Sequence, residues 1–345
     1  MMRSGEPGFS FTRCLVSGLA VLLLQSIASA QYEYPTRLFF SEIFPEITGT
    51  TAYYEIDNAI ANDGLMNHFT IYAPSGTYFV TGNEFFLERL HEMEVTPRLE
   101  QLKESEAYVD GVKAAGTSAY HSVKTLITEP VETLSNVPRG VTRLFGNVIR
   151  GTKTERMTNT EDERYKQAIG FSKAKRSIAY ELGIDPYTSN LTIQALLDDL
   201  AWASFAGGMS LTVVQALAIP APVNLGVGIG TTPARIAQIV RDESPQGIQK
   251  RVMERFAEVG VGSAETEQFL ENEWISPTKR LQIAESLVDL KSVEGVALFA
   301  GYAVQAASEE EARFMQRTAE LLAAIDGRFE PFKRLQMAAG RPVAE

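Results

Sequence analysis

The sequence predicts an α+β protein, predominantly α-helical, with a small N-terminal three-stranded antiparallel sheet followed by a multi-helix domain. Three observations predict it: apolar and polar side chains alternate in short runs over residues 51–82, apolar positions recur at helical spacing from Gly82 onward, and hydroxyl and glycine punctuation brackets the helical runs. The 345 residues, 45% apolar and 22% charged, suffice for one large domain or two small ones and argue against a disordered chain. Glycine (26) and proline (15) are close to average usage, which excludes collagen-like and low-complexity classes. A formal charge of −11 argues against nucleic-acid binding, because phosphate neutralisation needs a basic footprint.

Residues 1–30 read as a cleaved secretory signal peptide: Arg3 and Arg13 outweigh Glu6, an uncharged apolar run extends from Leu15 to Leu24, and Ala28-Ser29-Ala30 offers small residues to a peptidase that would cut before Gln31. The run is shorter than the roughly 20 apolar residues that span a bilayer. Cys14 precedes the run, so it does not fit a lipoprotein attachment site. Cleavage takes Lys+Arg from 32 to 30 and Asp+Glu from 43 to 42, giving a mature charge of −12, and removes the only cysteine. The expectation is an exported protein, periplasmic or secreted and peripheral on the envelope, with neither disulfide nor thiolate metal site.

In residues 31–95, an irregular aromatic-rich start with Pro35 and Pro45 precedes the sheet. Tyr54, Ile56, Asn58 and Ile60 alternate with Tyr53, Glu55, Asp57 and Ala59 as a first strand, Asn62-Asp63-Gly64 turns, and Phe69–Tyr72 returns. Pro74-Ser75-Gly76 turns again, and Thr77–Thr81 completes a meander that must pack on helices or pair with a partner. Helices are expected near 84–94, 97–107, 108–127, 137–150, 162–182, 191–206, 208–218, 233–241, 245–259, 264–272, 277–290, 293–306 and 309–326. Thr96-Pro97, Thr232-Pro233, Ser244-Pro245 and Ser276-Pro277 each set a hydroxyl N-cap before a proline suited to the first helical position. Ser308 with Glu311 forms a capping box, and Gly183 and Gly260, followed by Ile184 and Val261, read as left-handed helix stops. Residues 96–159 form an amphipathic helical connector carrying a basic segment, residues 160–326 the multi-helix domain, and residues 327–345 a flexible tail with Pro331, Gly340 and Pro342.

Chemistry is hard to find in this pattern. The histidines are His68, His91 and His121, and His91-Glu92 lacks the second histidine of a zinc-protease helix. No Gly-x-Ser-x-Gly elbow occurs. Gly226-Val227-Gly228-Ile229-Gly230 has Thr231 where a dinucleotide loop needs its third glycine, and Thr232-Pro233 offers a helix start to an anion. Asp198 and Asp199, adjacent on a helix, point about 100° apart and do not converge, and Glu161-Asp162-Glu163 reads as a solvated face. No cofactor and no metal are expected. The uncharged stretch Leu200–Ala234, broken by Pro220 and Pro222, reads as central core helices or, alternatively, a membrane-inserting hairpin; Val296–Ser308 is assigned to the same core.

One segment offers a surface. Between Val112 and Arg156, apolar positions recur every eleven residues at Val112, Val123, Leu134 and Phe145, and again at Ala115, Leu126, Val137 and Val148. This resembles the local pattern of apolipoprotein-type lipid-surface helices over about forty-five residues, interrupted by Pro130 and Pro138. Within it Arg139, Arg143, Arg150, Lys153 and Arg156 oppose Glu155 alone, and Val141, Leu144, Phe145, Val148 and Ile149 form one apolar face. A cationic amphipathic helix of this kind suits an anionic membrane surface or an acidic protein partner; packed on the protein's own core, it would be structural. The expected site is therefore Arg139, Arg143, Leu144, Phe145, Val148, Ile149, Arg150 and Lys153. Three functions stay open: a non-enzymatic envelope protein binding through this helix, a periplasmic protein-binding scaffold that uses the sheet edge or helical grooves, and a hydrolase whose residues meet only in three dimensions.

Overall fold

A computed structural model describes residues 38–115, 159–205, 209–215, 234–338 and 341–344. The signal-like residues 1–30 lie outside them. The architecture is α+β and predominantly helical, as expected, with five strands in the N-terminal sheet instead of three.

The chain opens with β1 (Leu38–Phe39) and the short α1 (Phe40–Ile43), then β2 (Glu55–Ile56), β3 (Ala59–Asn62), β4 (Asn67–Ala73) and β5 (Gly76–Thr81). All pairings are antiparallel: β1 with β3, β3 and β2 with β4, and β4 with β5 on its other side. The expected single first strand is two, because the chain jogs at Asp57-Asn58. Asp57 donates its N–H to the Thr70 carbonyl at 3.0 Å while its carboxylate accepts from the Ala59 N–H at 3.0 Å, which breaks the ladder locally. The alternation still selects a face, since Tyr54, Ile56 and Ile60 are buried with Phe69, Ile71 and Val80. At the Asn62-Asp63-Gly64 turn the Asp63 carboxylate takes the N–H groups of Leu65 and Met66 at 2.8 and 2.7 Å, and Gly64 supplies a φ of 90°.

Helix α2 (Asn83–Lys103) lies on the inner face of the sheet, with Phe86 stacked on Phe69 at 4.1 Å between ring centroids. The expected break at Thr96-Pro97 does not occur. Pro97 sits inside α2, and the Thr96 hydroxyl donates to the Glu92 carbonyl at 2.7 Å within the preceding turn. Burial of Val95, Leu99 and Leu102 on the far side holds the helix together across the proline, so tertiary packing overrides the local stop signal.

The helical body comprises α3 (Glu106–Ala115), α4 (Asn159–Glu181), α5 (Leu191–Phe205), α6 (Leu211–Gln215), α7 (Ala234–Asp242), α8 (Pro245–Glu258), α9 (Ser263–Glu271), α10 (Pro277–Asp289), α11 (Leu298–Ala303) and α12 (Glu309–Phe329). Three serine caps and two glycine stops perform as read. Ser244, Ser276 and Ser308 accept hydrogen bonds from the N–H groups of Gly247, Lys279 and Glu311, and Glu311 in return accepts from Ala307. Gly183 (φ 67°) and Gly260 (φ 78°) end α4 and α8, with Ile184 N–H reaching the Ala179 carbonyl and Val261 N–H the Phe256 carbonyl.

Three hydrophobic clusters form among the described residues. The sheet and the first half of α2 make one; the second half of α2 with α4, α5 and α6 makes another; α7 to α12 surround a third, centred on α10, ten of whose thirteen residues are buried. Val296, Phe299, Ala300, Ala303 and Ala306 belong to the third, whereas Leu200, Trp202, Met209 and Val214 belong to the second, so the described part of the Leu200–Ala234 stretch lines a different core from Val296–Ser308. Among the described residues no helix is long and apolar enough to cross a membrane. The described residues after Gly327 are tied down rather than loose: α12 runs on to Phe329, Leu335 is 1% exposed, and Glu294 exchanges backbone hydrogen bonds with Lys333 and Leu335 before the hairpin of β6 (Leu335–Ala338) and β7 (Arg341–Ala344).

Candidate interaction surface

Strand β5 forms one margin of the sheet. It pairs with β4 from Ala73↔Gly76 to His68↔Thr81 without a slip, and the Gly82 N–H donates to the Asn67 carbonyl at 2.8 Å. In an antiparallel ladder the bonded pairs alternate, so Gly76, Tyr78 and Val80 face β4 while Thr77, Phe79 and Thr81 turn their N–H and C=O groups outward. No strand pairs with that side among the described residues. The usual protections of an edge are missing: Gly76–Thr81 contains no charge and no proline, and the pairing shows no bulge. Phe79 is 80% exposed, more than any other large apolar side chain among the described residues, and Tyr72, diagonal to it on β4, is also exposed.

A buried ionic cluster fastens the helix beneath this sheet to the helical body. On α2, Arg89 and Glu92 follow Phe85 at i+4 and i+7, a polar stripe turned inward; Arg89 lies 4.5 Å above the Phe85 ring. Glu92 Oε2 accepts from Arg89 Nη1 at 2.6 Å and from Asn190 Nδ2 at 2.9 Å, and its Oε1 accepts from the Thr188 hydroxyl. Arg89 also donates to Ser189, which donates to Glu309 at the start of α12, and Lys279 Nζ on α10 meets the other Glu309 oxygen at 3.0 Å. Burial would raise the Glu309 carboxyl, yet Lys279 and Arg89 hold it below its ordinary value. Burial likewise opposes the charge on Lys279, but Glu309, Glu88 and Asp185 keep its pKa above normal. Four elements therefore meet in one polar knot: α2, the 184–190 turn, α10 and α12.

The same turn holds Asp185, whose carboxylate accepts from Thr278 Oγ1 at 2.8 Å and from the Tyr187 N–H at 3.0 Å. Burial pushes its pKa up from 3.8 to about 6, against the pull of Lys279. The Ser189 hydroxyl donates to Glu309, a carboxylate that Lys279 and Arg89 hold below its ordinary pKa and that is therefore a weak base, and His91 on α2 meets the Leu182 carbonyl at 2.9 Å. The polar groups bind one another, so the arrangement fastens the structure.

A second polar chain lies on the outer face of the sheet. His68 Nε2 is 3.1 Å from Asp63 Oδ2, and His68 Nδ1 is 3.0 Å from Thr81 Oγ1. The order carboxylate, imidazole, hydroxyl is that of a nucleophile-activating relay. Here His68 and Asp63 are about half exposed, so water reaches both, and the neighbouring Gly82 N–H is bonded to the Asn67 carbonyl. The arrangement serves as a cross-strand pair that closes the β3–β4 turn.

Arg139, Arg143, Leu144, Phe145, Val148, Ile149, Arg150 and Lys153 lie outside the described residues, as do His121, the glycine string at 226–230 and Thr232-Pro233. Asp198 and Asp199 diverge as expected, the first to Lys175 and the second to Lys103. No group of three or more metal-ligating side chains occurs among the described residues. Alternation along 77–81 made β5 legible as a strand, but its place at the margin depends on sheet order. The ionic knot was missed because Arg89, Glu92, Lys279 and Glu309 come from three separate helices. In comparisons with known protein families, curated proteins and solved structures, the chain matches none.

Proposed function

We propose that this chain is an exported, non-enzymatic binding protein that receives a partner strand along the outer margin of β5. The observation that carries this reading is the unprotected run of outward main-chain groups at Thr77, Phe79 and Thr81, with Phe79 standing clear beside them. Strand addition draws affinity from main-chain hydrogen bonds and specificity from alternate side chains. Such an edge needs a rigid mount, and α2 and the ionic knot beneath it supply one. Export rests on the features of residues 1–30 and leaves the periplasm and the exterior as destinations. The test is a photoreactive phenylalanine analogue at position 79, with Met253 on α8, 50% exposed, as the control position, in the cells that make the protein. A defined adduct from position 79 and none from position 253 is the expected result; no adduct at 79 overturns the reading.

A second reading assigns Arg139, Arg143, Leu144, Phe145, Val148, Ile149, Arg150 and Lys153 to an anionic membrane surface or an acidic protein. It is favoured by the state of the buried acids: Glu92, Glu285 and Asp326 are each satisfied, by Arg89, by Arg235 and Arg255, and by the Phe332 N–H. None of these carboxylates needs an arginine from the basic segment. The mature chain from Gln31 is then expected to float with anionic but not neutral vesicles, less so at moderate salt. Replacing Arg139, Arg143 and Arg150 with Glu should abolish flotation with the fold intact; unchanged flotation excludes this segment as the binding element.

A further inference from the structure

We infer that the strand received at β5 is β5 of a second copy of this chain, paired antiparallel about a two-fold axis at Phe79. The inference rests on the edge-binding reading above and names its partner. The register is self-complementary. With Phe79 opposite Phe79, Thr77 falls opposite Thr81 and Thr81 opposite Thr77, and these are the residues whose N–H and C=O groups point outward. All six outward N–H groups of the two strands then find carbonyls. No other centre does this: an axis at Tyr78 or Val80 would pair Thr77 with Phe79 or Phe79 with Thr81 and leave one outward residue of each copy without a partner, one at Thr77 or Thr81 would leave two, and an axis between residues would set inward-facing groups against outward ones.

Side chains agree with the backbone. On the outer face the pair sets Thr beside Thr and Phe beside Phe, both favourable cross-strand combinations. Tyr72 is diagonal to Phe79 within each copy, so an aromatic row would run Tyr72, Phe79, Phe79, Tyr72 across the axis. Charge is compatible as well. The chain carries −11 overall, but Gly76–Thr81 carries none, so two acidic copies meet along this strand without like charges facing each other. A contact of one short strand per copy falls below the roughly 1,200 Å² of a stable interface, so the dimer is a reversible, concentration-dependent one.

The experiment is sedimentation equilibrium of the full mature chain over about a thousandfold range of concentration, with wild type, Phe79→Lys, Phe79→Glu and an equal mixture of the two variants. The expected result is a monomer–dimer equilibrium for wild type, at least about tenfold weaker association for each variant alone because like charges face across the axis, and recovery of dimer in the mixture. Phe79 is 80% exposed, so both substitutions leave the core intact, which circular dichroism checks. Amide exchange supplies a second readout: Thr77, Phe79 and Thr81 should gain protection as concentration rises while Tyr78 and Val80, already bonded to β4, should not change. Wild type that stays monomeric, or variants that dimerise as wild type does, overturns self-pairing. In that case an adduct of another mass from position 79 leaves the edge-binding reading standing, and no adduct removes both.

Discussion

Asp185 occupies the turn that joins α4 to α5, beside the N-terminus of α10, and its environment makes stability depend on pH. Its pKa rises from 3.8 to about 6 in the folded chain, first because burial disfavours the charged form. Between about pH 4 and pH 6 the folded state therefore holds a proton that the unfolded state has lost, so stability falls as pH rises through that window. Asp185→Asn keeps an oxygen for the Tyr187 N–H and removes the titration. The variant should be more stable than wild type at pH 7 by roughly 1 to 3 kcal/mol, with a flatter profile between pH 4 and 6 in urea denaturation. Glu309 works in the opposite direction and in a different window: Lys279 and Arg89 hold its pKa below 4.5, so its contribution is lost only at lower pH. An unchanged slope between pH 4 and 6 in Asp185→Asn would remove Asp185 as its source.

At the scale of elements, the contact between α3 and α5 turns on one missing side chain. A Cβ on Gly111 would lie 2.8 Å from the Ala203 carbonyl oxygen, a backbone atom that cannot step aside, so Gly111→Ala should push α3 off α5 and destabilise by about 1 to 3 kcal/mol. Gly301 on α11 has open space at the same position and no left-handed φ, so Gly301→Ala should be neutral or stabilise by up to about 1 kcal/mol. Thermal unfolding of the pair separates close approach from helix propensity. The elements themselves were largely readable in the sequence, for physical reasons that particular residues show. Ser244, Ser276 and Ser308 acted as caps because an N-cap bond spans three residues and needs nothing distant. Pro97 misled because its outcome is decided by Leu99 and Leu102 packing on α5, which no local window contains. The margin at β5 and the Arg89–Glu309 contact were hidden for the same reason, since sheet order and helix proximity are long-range facts.

For the whole molecule, the question is whether the sheet and the helical body unfold as one unit. Helix α2 enters two of the three cores, Phe85 to Met93 in the sheet cluster and Val95 to Leu102 in the cluster with α4 and α5. Arg89 and Glu92 then bind Ser189, Thr188 and Glu309, which ties the same helix to α10 and α12 in the third. Separating α2 and the sheet from the body would break the bonds of Arg89 to Thr188, Ser189 and Glu309 and those of Glu92 to Thr188 and Asn190, at a cost of several kcal/mol. One cooperative transition follows, and it should respond equally to damage at either end. Phe69→Ala in the sheet cluster and Leu197→Ala in the α4–α5 cluster should each lower the unfolding free energy by about 2 to 5 kcal/mol and move a single urea transition to lower concentration, the same by near-ultraviolet and far-ultraviolet circular dichroism. If Phe69→Ala instead produced an early phase with the helical signal intact, the ionic knot would not couple the sheet to the body. The margin at β5 would then be carried on a separately melting element, and partner binding would have to supply the order in place of α2.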